Sequence, residues 1–215
     1  MVIERTTYYF EKAGPENTET LLEIVKRRAL EEGTEYVVVA STSGSTGVKA
    51  AEAFKGTGIK AVVVTHQAGM RGPGVQEVTE ENRKKLEELG AKIVTCTHAF
   101  GGVCLGVARG PMRPGPRLAG PPSPPVPFPP SMPPVGMIIA WVLSLFCRGM
   151  KVGVEITLMA ADAGAIPVDH DVIAVAGSHS GADTALLLGP ANTTNFLELE
   201  VKEIIAKPIS KRETD

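Results

Sequence analysis

EYVVVASTSGSTGVKAAEAFKGTGIKAVVVT, residues 35–65, joins a short continuous apolar run, a loop of small hydroxyl residues, a helical stretch and a second apolar run. Apolar runs that do not alternate suit strands buried on both faces, as in a parallel sheet. The stretch therefore predicts strands at 35–40 and 60–65 with a crossover helix near 46–56 between them.

The flanking sequence extends the pattern. Upstream, ETLLEIVKRRALEEG at 19–33 puts Leu21, Leu22, Val25 and Ala29 on one helical face, with Asn17 or Thr18 to cap it and Gly33 to end it. Downstream, a glycine-rich loop at 66–78 leads to Thr79, which with Asn82 opens the charged helix EENRKKLEELG. Gly90 closes that helix and AKIVTCT at 91–97 makes a third strand. Three strand–helix steps in succession predict a parallel sheet with right-handed crossovers.

The pattern breaks at residues 107–134, which hold twelve of the seventeen prolines and neither lysine nor carboxylate. Proline lacks the amide that ladders and helices need, so the segment cannot join the sheet. Three explanations stand: a passive disordered insertion, a proline-rich loop that docks on a partner domain, or a stretch translated in the wrong frame. Beyond it, GMIIAWVLSLFCRG at 136–149 and KVGVEITLMAADAGAIP at 151–167 read as helices, and HDVIAVAG at 170–177 as a strand. The loop SHSGADT and a further apolar run, ALLLGPA, follow. In the tail FLELEVKEIIAKPI, Leu197, Leu199 and Val201 alternate with Glu198, Glu200 and Lys202, which suggests an edge strand with one wet face, although a helix also fits.

Composition bounds the function. At 215 residues the chain suits one α/β domain over its whole length, and a net charge of -2 with pI near 6.1 argues against nucleic-acid or membrane-surface binding. Cys96, Cys104 and Cys147 form no CxxC pair, which fits a reducing cytosol. The charged N-terminus lacks the apolar core of a signal peptide, so a cytoplasmic location is expected. The most apolar run, 136–147, falls short of the roughly twenty residues a bilayer helix needs and reads as a buried helix.

In open parallel sheets ligands bind beyond the carboxyl ends of the strands. Four loops should lie there: STSGSTG, THQAGM, THAFGG and GSHSGADT. The first offers the hydroxyls of Ser41, Thr42, Ser43, Ser45 and Thr46, with Gly44 to let backbone amides approach a ligand, and it opens a helix whose N-terminus attracts anions. The competing reading is that these residues only cap the helix. If Gly44 admits a ligand, Gly44→Val abolishes binding and leaves the fold intact. The last loop repeats the same chemistry through Ser178, Ser180, Gly181, Asp183 and Thr184. Thr65–His66 and Thr97–His98 are matching pairs at strand ends that can face one crevice, although loop histidines also serve as plain surface residues. A phosphorylated small molecule is the ligand this chemistry suits.

Other motifs are absent or weak. STSGSTG lacks the GK[ST] ending of a P-loop, and no GxGxxG opens a helix. His66, His98 and His179 lack the local spacing of a metal site, so none is expected. Cys96 beside His98 has no orienting acid nearby, which favours a structural thiol. Glu155 and Asp162, about 20° apart around an otherwise apolar helix, each need a partner. Glu155 can use the helix N-terminus, and Asp162 a neighbouring loop or a ligand.

YYFEKAGPENTE, VVVASTSGSTGVKAAEAF, VVVTHQAG, KIVTCTHAFGGV, GMKVGVEITLMAADAGAIP and IAVAGSHSGADTALLLGPANTTNF, taken in order, resemble the stand-alone proteins similar to the C-terminal α/β domain of pyruvate kinase. The resemblance spans residues 8–106 and 135–208, and residues 107–134 depart from it. It implies a three-layer α/β/α domain with a mainly parallel sheet. It also implies a phosphate cradle at Ser41–Thr46, and FMN as ligand with its ring among the Thr–His loops. Pyruvate kinase activity is not implied, since that chemistry belongs to a barrel this chain lacks. The alternative is a flavin- or sugar-phosphate-dependent enzyme, and a homo-oligomer is compatible with either.

Overall fold

A computed structural model describes residues 2–102 and 133–210. The proline-rich stretch, apart from Pro133 and Pro134, lies outside the described residues. The strands are β1 (Tyr8–Phe10), β2 (Tyr36–Ala40), β3 (Lys60–Thr65), β4 (Lys92–Thr95), β5 (Val172–Ala176), β6 (Thr184–Gly189) and β7 (Glu200–Pro208). The α-helices are α1 (Thr18–Glu32), α2 (Ser45–Ala53), α3 (Glu80–Glu88), α4 (Val135–Leu143) and α5 (Arg148–Asp162).

The seven strands form one sheet in the order β1-β7-β6-β5-β2-β3-β4. β5, β2, β3 and β4 run parallel, as the strand–helix succession predicts, and β1 pairs parallel with β7. β6 pairs antiparallel with both β5 and β7. Successive side chains of a strand point to opposite faces, so the run Val37–Val38–Val39 feeds two cores at once. Val37, Val39 and Val63 pack with Leu21, Leu22 and Val25 of α1, Val48 of α2 and Leu86 of α3. Val38, Val62 and Val64 pack on the other face with Met150, Val154 and Leu158 of α5. Helices therefore cover both faces, giving three layers.

Helix boundaries follow local chemistry. Gly33 ends α1 in the left-handed region at φ 67°, and Thr79 caps α3 by accepting from the Asn82 amide at 3.2 Å. Neither Asn17 nor Thr18 caps α1 through its side chain; Thr18 Oγ1 instead donates to Pro15 O.

Two expectations are corrected. The tail is not an edge strand: residues 193–198 form a 3-10 helix, and β7 lies between β6 and β1. Its supposed apolar face fails at Leu197 and Val201, both exposed, because burial begins only near Ile205, where β1 and α1 cover the strand. β1 is the edge on this side of the sheet, and its three residues, none of them buried, carry no readable run. The apolar stretch 136–147 is not a buried helix either. α4 packs on the core through Ile139, Ala140 and Leu143, while Val135, Trp141 and Val142 stay exposed. Among the described residues no helix is long and apolar enough to cross a membrane.

Candidate functional site

The strand order reverses beside β2: the chain moves outward through β3 and β4, then returns to β5 on the other flank. Open α/β sheets form a crevice at such a point. Here the loops after β2, β3, β4 and β5, together with residues of α5 from Arg148 to Met159, line a cleft of about 710 Å³, a size typical of small-molecule sites.

The loop after β2 is held by its own hydroxyls. Ser41 Oγ accepts from the Gly47 amide at 3.1 Å, and Ser43 Oγ accepts from the Ser45 amide at 3.4 Å. Capping is therefore part of what these serines do, as the plainer sequence reading holds. Gly44 occupies the N-cap position of α2 at φ 94°, with no side chain to offer. It faces α3 rather than the cleft. A Cβ there would stand 2.7 Å from Asn82 Cβ, and Asn82 Nδ2 donates to Ser43 O at 2.9 Å. Gly44→Val would thus disturb the fold as well as the loop, contrary to the sequence expectation.

His66, at the end of β3, is held through Nδ1 and makes a longer contact at Nε2. Nδ1 lies 2.7 Å from Glu77 Oε2, and Nε2 lies 3.4 Å from Thr42 Oγ1. Arg71 Nε donates to the other Glu77 oxygen at 2.5 Å. Burial opposes charge on Glu77, but the hydrogen bonds with His66 and Arg71 outweigh it and hold the carboxyl below its usual range. The His98 ring meets His66 edge-on, with centroids 5.4 Å apart at 73°, and its amide donates to Gln67 Oε1. The two histidines do share a crevice.

The opposite wall comes from α5. Cys147 caps this helix, its Sγ accepting from the Met150 amide, so Arg148 and Lys151 fall in the first turns and line the cleft. Lys151 pairs with Glu155, whose Oε1 also accepts from the Phe100 amide at 3.0 Å. Glu155 is buried and partnered, and the pairing ties the loop after β4 to α5. Asp162 lies away from the cleft. It accepts from Thr193 N at 3.0 Å, Thr193 Oγ1 at 2.6 Å and Asn192 Nδ2 at 3.0 Å, capping the 3-10 helix from outside. Of the two roles open to it, the loop contact is the one found. Burial works against its charge and these bonds prevail, so its pKa lies below the usual value. A depressed carboxyl stabilises the fold above its unfolded pKa and loses that contribution as pH falls through the folded one. Asp162→Ala is accordingly expected to destabilise by about 1 kcal/mol at neutral pH, with the gap to wild type closing in acid, as urea unfolding at pH 7 and pH 3 would show. Burial, then the Asp162 charge, raise the pKa of Cys96, and its Sγ donates to Met159 O, in keeping with a structural thiol.

The last loop is clamped rather than open. Gly181, at φ 66°, packs so closely on Pro15 that a Cβ would meet its Cα at 2.5 Å. The Ala182 amide donates to Thr18 Oγ1. Asp183 and Thr184 are fully buried: Asp183 Oδ2 accepts from the Ser178 amide, and Thr184 Oγ1 donates to Asp183 Oδ1.

Of the residues singled out from the sequence, Ser41, Thr42, Ser43, Ser45, Thr46, Thr65, His66, His98, Ser178, Ser180 and Gly181 line the cleft. Gly44, Thr97, Asp183 and Thr184 are not in its wall; Gly44 packs on α3, and Asp183 and Thr184 support the loop from beneath. The sequence reading missed Arg71, Glu77, Arg148 and Lys151. Among the described residues no group of three or more histidines, cysteines or carboxylates could hold a metal ion. No known protein-family model matches the chain.

Proposed function

We propose that the cleft binds a phosphorylated small molecule, with FMN the ligand that the sequence resemblance implies, and that the chain has no pyruvate kinase activity. One observation carries this reading: the N-termini of α2 and α5 open on the same cleft, one behind a loop of hydroxyls, the other bearing Arg148 and Lys151. Helix N-termini and cations together attract a phosphate dianion. Among the described residues no carboxylate pairs with Arg148, whereas Lys151 pairs with Glu155 and Arg71 with Glu77. Arg148 is therefore the cation best placed to meet a ligand's charge.

The wall also suits the rest of FMN. Val64, Ile156 and Met159 give apolar surface for a ring, with the His66 and His98 rings beside them. A bound flavin would bring redox chemistry of its own, and the protein would supply binding and orientation. On this reading the chain is a binding or regulatory module. His66, an imidazole braced by a carboxylate at the cleft, favours a second reading, an enzyme acting on a flavin or sugar phosphate.

Purified protein should show a flavin absorption spectrum, or take up FMN with saturable quenching of flavin fluorescence. A colourless protein that binds inorganic phosphate but no FMN would remove the flavin. A protein that binds neither would remove the phosphate site as well. Reduction of bound flavin by a nicotinamide cofactor would favour the enzyme.

A further inference from the structure

We infer that the ligand of this cleft carries a free hydroxyl close to its phosphate, that His66 recognises it through Nε2, and that Glu77 is the positioning residue that holds the imidazole for this task. The inference rests on the phosphate-binding reading above and narrows it to hydroxylated phosphate esters, the class of sugar and polyol phosphates.

Tautomer chemistry is the first step. An ionised carboxylate only accepts hydrogen bonds, so with Glu77 Oε2 at 2.7 Å the Nδ1 of His66 must donate. Arg71 on the second Glu77 oxygen favours the same ionised state. In the neutral ring Nε2 is then left with a lone pair. Among the described residues its hydrogen-bonding neighbour is Thr42 Oγ1, 3.4 Å away, a long contact for a hydroxyl donor. The His98 ring stands edge-on to the His66 ring, and Arg71 pairs with Glu77.

Chemical complementarity is the second step. Phosphate oxygens accept, and the donors they need come from Arg148 and the hydroxyls of the loop after β2. An acceptor in the same wall serves a ligand group that donates, and a hydroxyl is the ordinary donor of a phosphorylated polyol. Thr42 belongs to the proposed cradle and its Oγ1 lies 3.4 Å from Nε2, so this acceptor stands beside the hydroxyls proposed to hold the phosphate.

Calorimetric titration with glycerol 3-phosphate and propyl phosphate, which share a three-carbon frame, isolates the hydroxyl term. Wild type should prefer glycerol 3-phosphate by about tenfold, or about 1.4 kcal/mol. His66→Phe, which keeps a ring but removes the acceptor, and Glu77→Leu, which releases the ring, should each bring the ratio near one. Long-range proton–nitrogen NMR of wild type should show the neutral ring protonated on Nδ1, and Glu77→Leu should shift it toward Nε2. A loop that merely loosened would lower both affinities without changing their ratio. Equal affinities in wild type, a ratio unmoved in both variants, or a ring protonated on Nε2 would overturn the inference. Binding of propyl phosphate with no gain from the hydroxyls overturns it alone, whereas failure of both esters to bind overturns the phosphate site with it.

Discussion

Ser45→Glu is expected to weaken FMN binding by about a hundredfold or more while leaving the unfolding midpoint unchanged or slightly raised. Ser45 is exposed at the first position of α2, and among the described residues its Oγ hydrogen-bonds the Ser43 hydroxyl, at 3.1 Å. A carboxylate in a first helical turn complements the dipole and contributes about 0.3–1 kcal/mol. The fold therefore has no reason to suffer. Binding does, because the new charge stands where the phosphate is proposed to sit. Two like charges about 4 Å apart repel by about 4 kcal/mol at the effective dielectric of a protein surface, and a hundredfold loss needs about 2.7 kcal/mol. Ser45→Gln, of equal size and no charge, should lose far less. If the loop is only a cap, both variants bind as wild type does. Fluorescence titration with FMN and thermal melts of the same samples decide between the two.

The prediction depends on a loop that was legible in the sequence, and the reason is local. Val37–Val39 and Val62–Val64 are continuous apolar runs, so their strands, their parallel pairing and the loop at their ends follow from short-range pattern. The cations opposite that loop follow from a helix break that the pattern hides. Residues 136–162 are almost uniformly apolar, and the sequence reading runs one helix through Cys147, Arg148 and Gly149. In the structure the break falls earlier, at Ser144–Phe146, and Cys147 turns from a residue inside the first helix into the cap of the next. Arg148 thereby moves from a helix end to a helix start, where it joins Lys151, which the sequence already places in the first turn of the second helix. A signal was present in the i,i+4 spacing of Lys151 and Glu155. The partners of Glu155 and His66 were not legible in the same way. Phe100 lies 55 residues from Glu155, and Glu77 meets His66 across an irregular loop with no period to follow.

Gly149→Ala should destabilise the protein by about 2–3 kcal/mol, a large effect for replacing one hydrogen with a methyl group. Alanine improves helix propensity by up to about 1 kcal/mol, so the sign depends on packing. A Cβ on Gly149 would stand 2.1 Å from Thr184 Oγ1 and 2.4 Å from Thr184 Cβ, and Thr184 is fully buried in β6, which pairs on both sides. The strand cannot yield, so the first turn of α5 must. That turn bears Arg148 and Lys151, while Thr184 passes the strain through Asp183 to the Ser178 amide on the facing wall. Lower stability and weaker FMN binding should therefore appear together, with the midpoint falling by about 3 °C per kcal/mol for a chain of this size. Thr184→Gly clears the space that the methyl group needs. The double variant should be more stable than the sum of the two single changes by about 1 kcal/mol or more. Additive losses would mean that the helix start does not rest on Thr184, and the tie between the two walls of the cleft would fall with it.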